Sequence, residues 1–155
     1  MSDQSAAPPD RDHAAVRVVP PLVPLVAILA GIGLDSMWPL SPGFDLSAWV
    51  RFGVGGAIAL MSILGLGLPA VIRFRRSGQN ENPFKPTPSI VETGPFRFTR
   101  NPMYVQMLLF CAGVAVMLQN AWIALLIPVA AWVLQRWAIR PEEAYLEGKF
   151  GEAYL

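Results

Sequence analysis

The chain has 155 residues, of which 54% are hydrophobic and only 15% charged, and its formal net charge is +1. A soluble domain is usually about one-quarter charged, so the composition indicates a membrane protein, and the charge gives no support for nucleic-acid binding. The single cysteine, Cys111, and the single histidine, His13, exclude an intrachain disulfide framework and a Cys/His metal cluster.

Residues 1–16 are polar and contain prolines, which predicts a disordered cytosolic tail. This stretch lacks the basic region and the small-residue cleavage site that would make the following apolar run a removable signal peptide. Residues 17–140 form the predicted transmembrane domain, which includes a cytosolic link at 73–102. Residues 141–155 form a predicted C-terminal cytosolic helix.

Four apolar segments follow the tail, at about 18–40, 48–72, 103–118 and 121–139. Spanning a bilayer takes about 20 apolar residues, and the second and third segments lack the polar face that a helix of a soluble bundle carries. Only Gln119 and Asn120 separate the last two segments, which predicts a tight helical hairpin. The predicted fold class is therefore all-α integral membrane, with four transmembrane helices, an ordered cytosolic link and a C-terminal amphipathic helix.

Glycines are concentrated in the second segment, where small residues allow helices to approach closely. Five of them favour helix packing rather than a binding site: Gly53, Gly55, Gly56, Gly65 and Gly67.

Basic residues predict the orientation. The connections 41–47 and 119–120 contain no Lys or Arg, whereas the link 73–102 and the C-terminal tail contain several. Because basic residues favour the cytoplasmic side, both termini and the link are expected in the cytoplasm. The basic residues concerned are Arg73, Arg75, Arg76, Lys85, Arg97, Arg100, Arg140 and Lys149.

The link contains three prolines within six residues, which disfavour a long helix, and Gly94-Pro95, which marks a turn. It also contains apolar residues in a position that should be wet, so we expect an ordered flap on the membrane surface or over a pocket. These apolar residues are Ile90, Val91, Phe96 and Phe98.

Two polar motifs border the apolar segments on the cytosolic side, and each has two interpretations. Asn101-Pro102 is a favourable start for a helix, and a helix N-terminus can also hold a polar or anionic ligand group. Arg100 fits equally as an anchor for lipid phosphate. Glu142 and Glu143 suit the first turn of a helix, or they attract a cation at the membrane surface.

The stretches TPSIVETGPFRFTRNPMYV and EEAYLEGKFGEAY together resemble the isoprenylcysteine carboxyl methyltransferase and phospholipid methyltransferase family. The resemblance covers about 83–155 and rests on two blocks in the right order around a helical hairpin. Members of this family are integral-membrane enzymes that use S-adenosylmethionine, and the resemblance to its bacterial members implies the bacterial inner membrane. The resemblance therefore implies methyl transfer from this cofactor to a lipid-soluble acceptor, namely a carboxylate, a thiol or a lipid amine, beside the membrane lipids.

The same resemblance implies a cofactor pocket formed by the link, the start of the third segment and the C-terminal helix. Arg100 or Arg140 would hold an acidic acceptor, and Glu143 or Tyr104 would take the proton of an amine. Asn101 stands where many members have histidine, so no imidazole is offered. The residues assigned to the cofactor are Ile90, Val91, Phe96, Asn101, Pro102, Tyr104 and Glu142.

Other functions are weighed against this one. Ala138 stands where the prenylcysteine enzymes have an arginine for the acceptor carboxylate, so prenylcysteine is not the expected acceptor. Members usually continue past the final block with a basic stretch, and the alternative we keep is a non-catalytic membrane scaffold or assembly factor with the same fold. A transporter is disfavoured because few ionisable residues lie mid-membrane.

Overall fold

A computed structural model describes residues 16–76, 94–97 and 99–150, and within them all regular structure is helical, as predicted. The α-helices are α1 Leu22–Met37, α2 Ala48–Ser62, α3 Leu68–Arg76, α4 Pro102–Leu118, α5 Ala121–Leu134 and α6 Arg140–Phe150. A 3-10 turn at Gly94–Arg97 precedes α4. The predicted tail residues 1–15 lie outside the described residues.

Two π turns, wider turns closed by i→i+5 hydrogen bonds, join helices without a break. The π turn Ile63–Gly67 links α2 to α3, and the π turn Gln135–Ile139 links α5 to α6. The backbone N–H of Arg140 accordingly donates to the carbonyl of Gln135, five residues back. Such turns occur frequently at functional sites.

Two continuous helices, Ala48–Arg73 and Ala121–Lys149, are long and apolar enough to cross a membrane. Only 28% of each apolar window is buried inside the protein, whereas the core helix of a soluble protein would be mostly buried. Large apolar side chains such as Trp49 and Met61 face outward, with 91% and 72% exposed. The remaining apolar helices, α1 and α4, have 16 and 17 residues. Two of the four predicted spans thus have the required length.

The helices α2 and α4 cross in direct backbone contact at Gly55 and Gly113. A β-carbon built on Gly55 would lie 2.5 Å from the carbonyl oxygen of Gly113, and one on Gly113 would lie 2.6 Å from that of Gly55. Small residues permit this approach in membrane helices. Gly67 meets a neighbour as well, the side chain of Gln106. A β-carbon would meet nothing within 4 Å at the other glycines of the stretch, Gly53, Gly56 and Gly65.

Gln119 and Asn120 form the tight turn between α4 and α5, as predicted. Gln119 takes a left-handed φ of 48°, and the N–H of Asn120 donates to the Ala115 carbonyl at 3.0 Å, which ends α4. The buried side chain of Asn120 accepts from the N–H of Ile123 at 2.9 Å and donates to the Gly31 carbonyl at 3.3 Å. This one residue therefore ends α4, caps α5 and holds α1.

We expect Asn120→Ala to lower the free energy of unfolding by about 2 kcal/mol, because it removes a helix cap and the buried hydrogen bond that joins α5 to the Gly31 carbonyl of α1. Asn101→Ala is the matched control, since Asn101 is the N-cap residue of α4 but its side chain makes no capping hydrogen bond. Unfolding of the detergent-purified proteins, followed by circular dichroism, measures both. Equal losses would contradict the role given to Asn120.

Candidate active site

Tyr104 and Glu142 meet where α4 and α6 begin, although 38 residues separate them. The Tyr104 hydroxyl donates a hydrogen bond to Oε2 of Glu142 at 3.0 Å. The tyrosine side chain is buried and the glutamate half-buried. No Lys or Arg of the described residues forms a salt bridge with Glu142. The structure thus contains a carboxylate that is oriented by a phenol and, within the described residues, is not paired with a Lys or Arg side chain.

The start of α4 fixes Tyr104. Asn101 occupies the N-cap position and Pro102 the first helical position, as predicted. The capping is made by the backbone, because the Asn101 carbonyl accepts from the N–H groups of Tyr104 at 3.1 Å and Val105 at 3.2 Å. The Asn101 side chain, whose capping role the sequence suggested, makes no such bond. Since Pro102 is fully buried, the first turn of α4 and its tyrosine are held rigidly.

A small buried cluster fixes the other partner. Tyr104 packs with Val16, Leu134 and Ala138, of which Leu134 is 1% and Ala138 0% exposed. Leu134 ends α5 and Ala138 lies in the second π turn, so the cluster clamps this part of the helix against the start of α4. Glu142 is four residues after Ala138, one helical turn further on, and this spacing brings its carboxylate to Tyr104.

A cavity of about 400 Å³ adjoins the pair. Tyr104, Glu142 and Gln106 are its polar wall residues, and the rest of the wall is apolar. Pockets for small molecules have volumes of about 300–1,000 Å³ and a few polar groups in apolar walls. The volume and the wall of this cavity are both typical of such pockets. The wall comes from the chain before α1, the first π turn, α3, α4 and α6, and besides the three polar residues it includes Pro20, Pro21, Ile63, Gly67, Leu68, Val71, Met103 and Met107.

The predicted turn at Gly94-Pro95 is present as the 3-10 turn Gly94–Arg97, docked on the end of α3. Gly94 has a φ of 68°, which favours glycine. The guanidinium group of Arg73 lies so close to Gly94 that a β-carbon there would overlap it. The contact between Arg73 and Gly94 therefore ties the turn to the helix that carries one wall of the cavity.

The structure brings together some of the predicted site residues and separates others. Tyr104 and Glu142 line the cavity, whereas Glu143 is half-buried and Arg100 and Arg140 are exposed, and these three are not among its lining residues. Ile90 and Val91 lie outside the described residues. Three further assigned residues are described but do not line the cavity: Phe96, Asn101 and Pro102.

Several residues of the cavity wall were not predicted from the sequence. Gln106 had a usable signal, because it is the only Asn or Gln in the apolar run 103–118. Gly67 packs against it, since a β-carbon there would lie 3.1 Å from Cγ of Gln106. Pro20 and Pro21 had no such signal, because in the sequence they indicated only that a regular helix is disfavoured there. Within the described residues, no group of three His, Cys, Asp or Glu could hold a metal ion.

The two long apolar helices are typical of a membrane protein, and the polar pair beside the cavity is a candidate small-molecule site. A family model described as phospholipid methyltransferase matches residues 52–153. Because this match covers more than half of the chain, the protein belongs to the phospholipid methyltransferase family, in agreement with its sequence motifs. Membership supports methyltransferase activity. Comparison with curated proteins and with solved structures gives no match.

Proposed function

We propose that the protein transfers a methyl group from S-adenosylmethionine to a lipid-soluble acceptor at the cytosolic face of the membrane. The observation that carries this proposal is the half-buried carboxylate of Glu142, which borders an apolar cavity and has a phenol as its hydrogen-bond partner. A charged group in partly buried, apolar surroundings is usually paired with an opposite charge, which for a carboxylate is a cation. The sulfonium of S-adenosylmethionine is a cation flanked by apolar groups, so it fits both the charge and the wall.

The chain's own residues have distinct tasks in this proposal. Tyr104 orients the carboxylate of Glu142 through its hydrogen bond. The N-terminus of α4 carries partial positive charge that suits the carboxylate of an amino-acid group. The apolar wall keeps water from the reacting atoms. Alignment and exclusion of water are what methyl transfer chiefly requires of a protein.

When bound, the cofactor supplies a methyl group on a positively charged sulfur, and transfer leaves a neutral thioether. A carboxylate or thiolate acceptor gives up no proton, so the chain then needs only a cation to hold an acid, and Arg100 is the candidate. A lipid amine has to lose a proton, and Glu143 is the candidate acceptor for it. Both assignments rest on the family motif.

In this proposal the protein lies in the bacterial inner membrane with both termini in the cytoplasm. The helices α1 and α4 span the membrane in addition to the two longer helices. The basic side chains Arg73, Arg75 and Arg76 support this orientation, because they end α3 next to the turn that precedes α4. The pair of Tyr104 and Glu142 begins α4 and α6 at the same end of the protein. A water-soluble cofactor and a lipid acceptor would meet there.

Calorimetry of detergent-purified protein with S-adenosylmethionine tests the first half of the proposal, and saturable binding is expected. The second half is tested by incubating the protein in membrane vesicles with methyl-labelled cofactor and identifying labelled lipids by mass. Absence of both binding and transfer would refute the proposal. Binding without transfer to any membrane lipid would instead favour the non-catalytic scaffold.

A further inference from the structure

The chain before α1 is part of the candidate active site. Val16 is 9% exposed and packs in the cluster that contains Tyr104 and Ala138. We call residues 16–21 the entry segment. Val18, in the same segment, is partly buried against this cluster. The entry segment therefore touches the residue that orients Glu142.

A backbone hydrogen bond fixes the entry segment at the second π turn. The N–H of Arg17 donates to the carbonyl of Trp137 at 3.0 Å. In a regular α-helix that carbonyl would receive the N–H of the residue four positions later, which here is Pro141, and proline has no N–H. Pro141, in the first turn of α6, thus leaves the Trp137 carbonyl free of that helical bond, and the entry segment binds to it.

The other end of the entry segment forms a wall of the cavity. Pro20 and Pro21 line it together with Tyr104 and Glu142. The rings fix the backbone φ angle, and the turn is closed by hydrogen bonds from Leu22 N–H to the Val19 carbonyl at 3.0 Å and from Val23 N–H to the Pro20 carbonyl at 3.2 Å. The wall is therefore rigid, and the two side chains that it presents are apolar.

The family match covers residues 52–153, so the entry segment lies outside the part of the chain that defines the family. We infer that the entry segment selects the acceptor: Pro20 and Pro21 form a rigid wall for the hydrocarbon part of the lipid next to its reacting head. The inference rests on the proposed function and adds to it the region that determines selectivity. Such a wall discriminates between acceptors by shape, because it offers no hydrogen-bonding group.

Pro21→Phe tests the inference, because Pro21 is exposed and lines the cavity, so a larger ring narrows the cavity without entering the core. Pro39→Phe is the matched control, an identical change at an exposed proline beyond the other end of α1. Each protein is placed in vesicles of total bacterial membrane lipid with methyl-labelled cofactor, and labelled lipids are quantified by mass. Calorimetry gives the dissociation constant of S-adenosylmethionine.

We expect Pro21→Phe to lower kcat/KM for the labelled lipids about tenfold, mainly through KM, and unequally for different chains, since shape discrimination of this size is typical of apolar pockets. The cofactor dissociation constant should change much less than kcat/KM for the lipids, and Pro39→Phe should match the parent in both measurements. Val16→Ala should also change the distribution of label among the lipids, because the smaller side chain loosens the entry segment. Val54→Ala, on the outer face of α2, is its control.

The outcomes separate the two proposals. Normal cofactor binding and transfer, together with an unchanged lipid profile in Pro21→Phe, would overturn the inference alone. A parallel loss of cofactor affinity and lipid turnover would overturn it too, because the entry segment would then only support the fold. If the parent protein neither binds cofactor nor labels lipid, the proposed function fails and the inference fails with it.

Discussion

Replacing Glu142 by glutamine is expected to weaken the binding of S-adenosylmethionine about 100-fold. Glutamine keeps the shape of the side chain and a carbonyl oxygen that can accept the hydrogen bond of Tyr104, so the fold should survive. What it loses is the negative charge that the proposed function sets beside the sulfonium. An interaction with a charged partner contributes about 1.5–3 kcal/mol, and 2.7 kcal/mol corresponds to roughly 100-fold in affinity.

Glu143→Gln provides the control, because it removes the same charge from the next position of the same helix. Glu143 does not line the cavity, so its change should leave the cofactor dissociation constant within about threefold, the size of a weakly screened surface charge effect. Calorimetry measures both constants, and the unfolding temperature verifies that each variant is folded. If the two variants lose affinity equally, the specific role of Glu142 is wrong.

A second large effect is expected where α2 and α4 cross. Gly55→Ala should destabilise the protein by about 3 kcal/mol, because the added methyl group would lie 2.5 Å from the carbonyl oxygen of Gly113 and 2.8 Å from the amide nitrogen of Met117. These neighbours are backbone atoms of another helix, which cannot move aside without separating the two helices. Replacing glycine by alanine inside a helix usually stabilises a protein, so the expected change in stability here has the opposite sign.

Gly56→Ala, one position along, should stabilise the protein by up to about 1 kcal/mol, because no atom lies within 4 Å of the added group and alanine is the better helix former. Both variants are compared with the parent by unfolding in a detergent series followed by circular dichroism. Stabilisation by both changes, or destabilisation by both to the same degree, would contradict the described crossing.

Local patterns in the sequence predicted the helices well. The apolar runs located α1, α2, α4 and α5, and the short connection at Gln119 and Asn120 is where the hairpin turns. The π turns at Ile63–Gly67 and Gln135–Ile139 were not predicted, since their sequences resemble ordinary helix and the extra residue per turn depends on contacts with other helices. The four-span arrangement stays a prediction beyond the two helices of sufficient length.

Tyr104 and Glu142 were assigned to the cofactor from two separate blocks of the family pattern, and the structure brings them into hydrogen-bonding contact. Their role in binding the cofactor stays a prediction. Gln106 was missed although it interrupts an apolar run. Pro20 and Pro21 were missed because their place in the wall depends on how α1 and α4 pack. Such packing joins residues more than 80 positions apart, and no short pattern encodes it.

Because of the second π turn, the position of Glu142 in the site depends on the number of residues between α5 and α6. Each residue of an α-helix turns the chain by about 100°, so the extra residue in Gln135–Ile139 sets the direction in which α6 presents its side chains. Deleting one residue there would turn Glu142 away from Tyr104 while leaving every residue of the site in the sequence. Relatives of this chain should therefore tolerate substitutions between α5 and α6 more readily than changes in length.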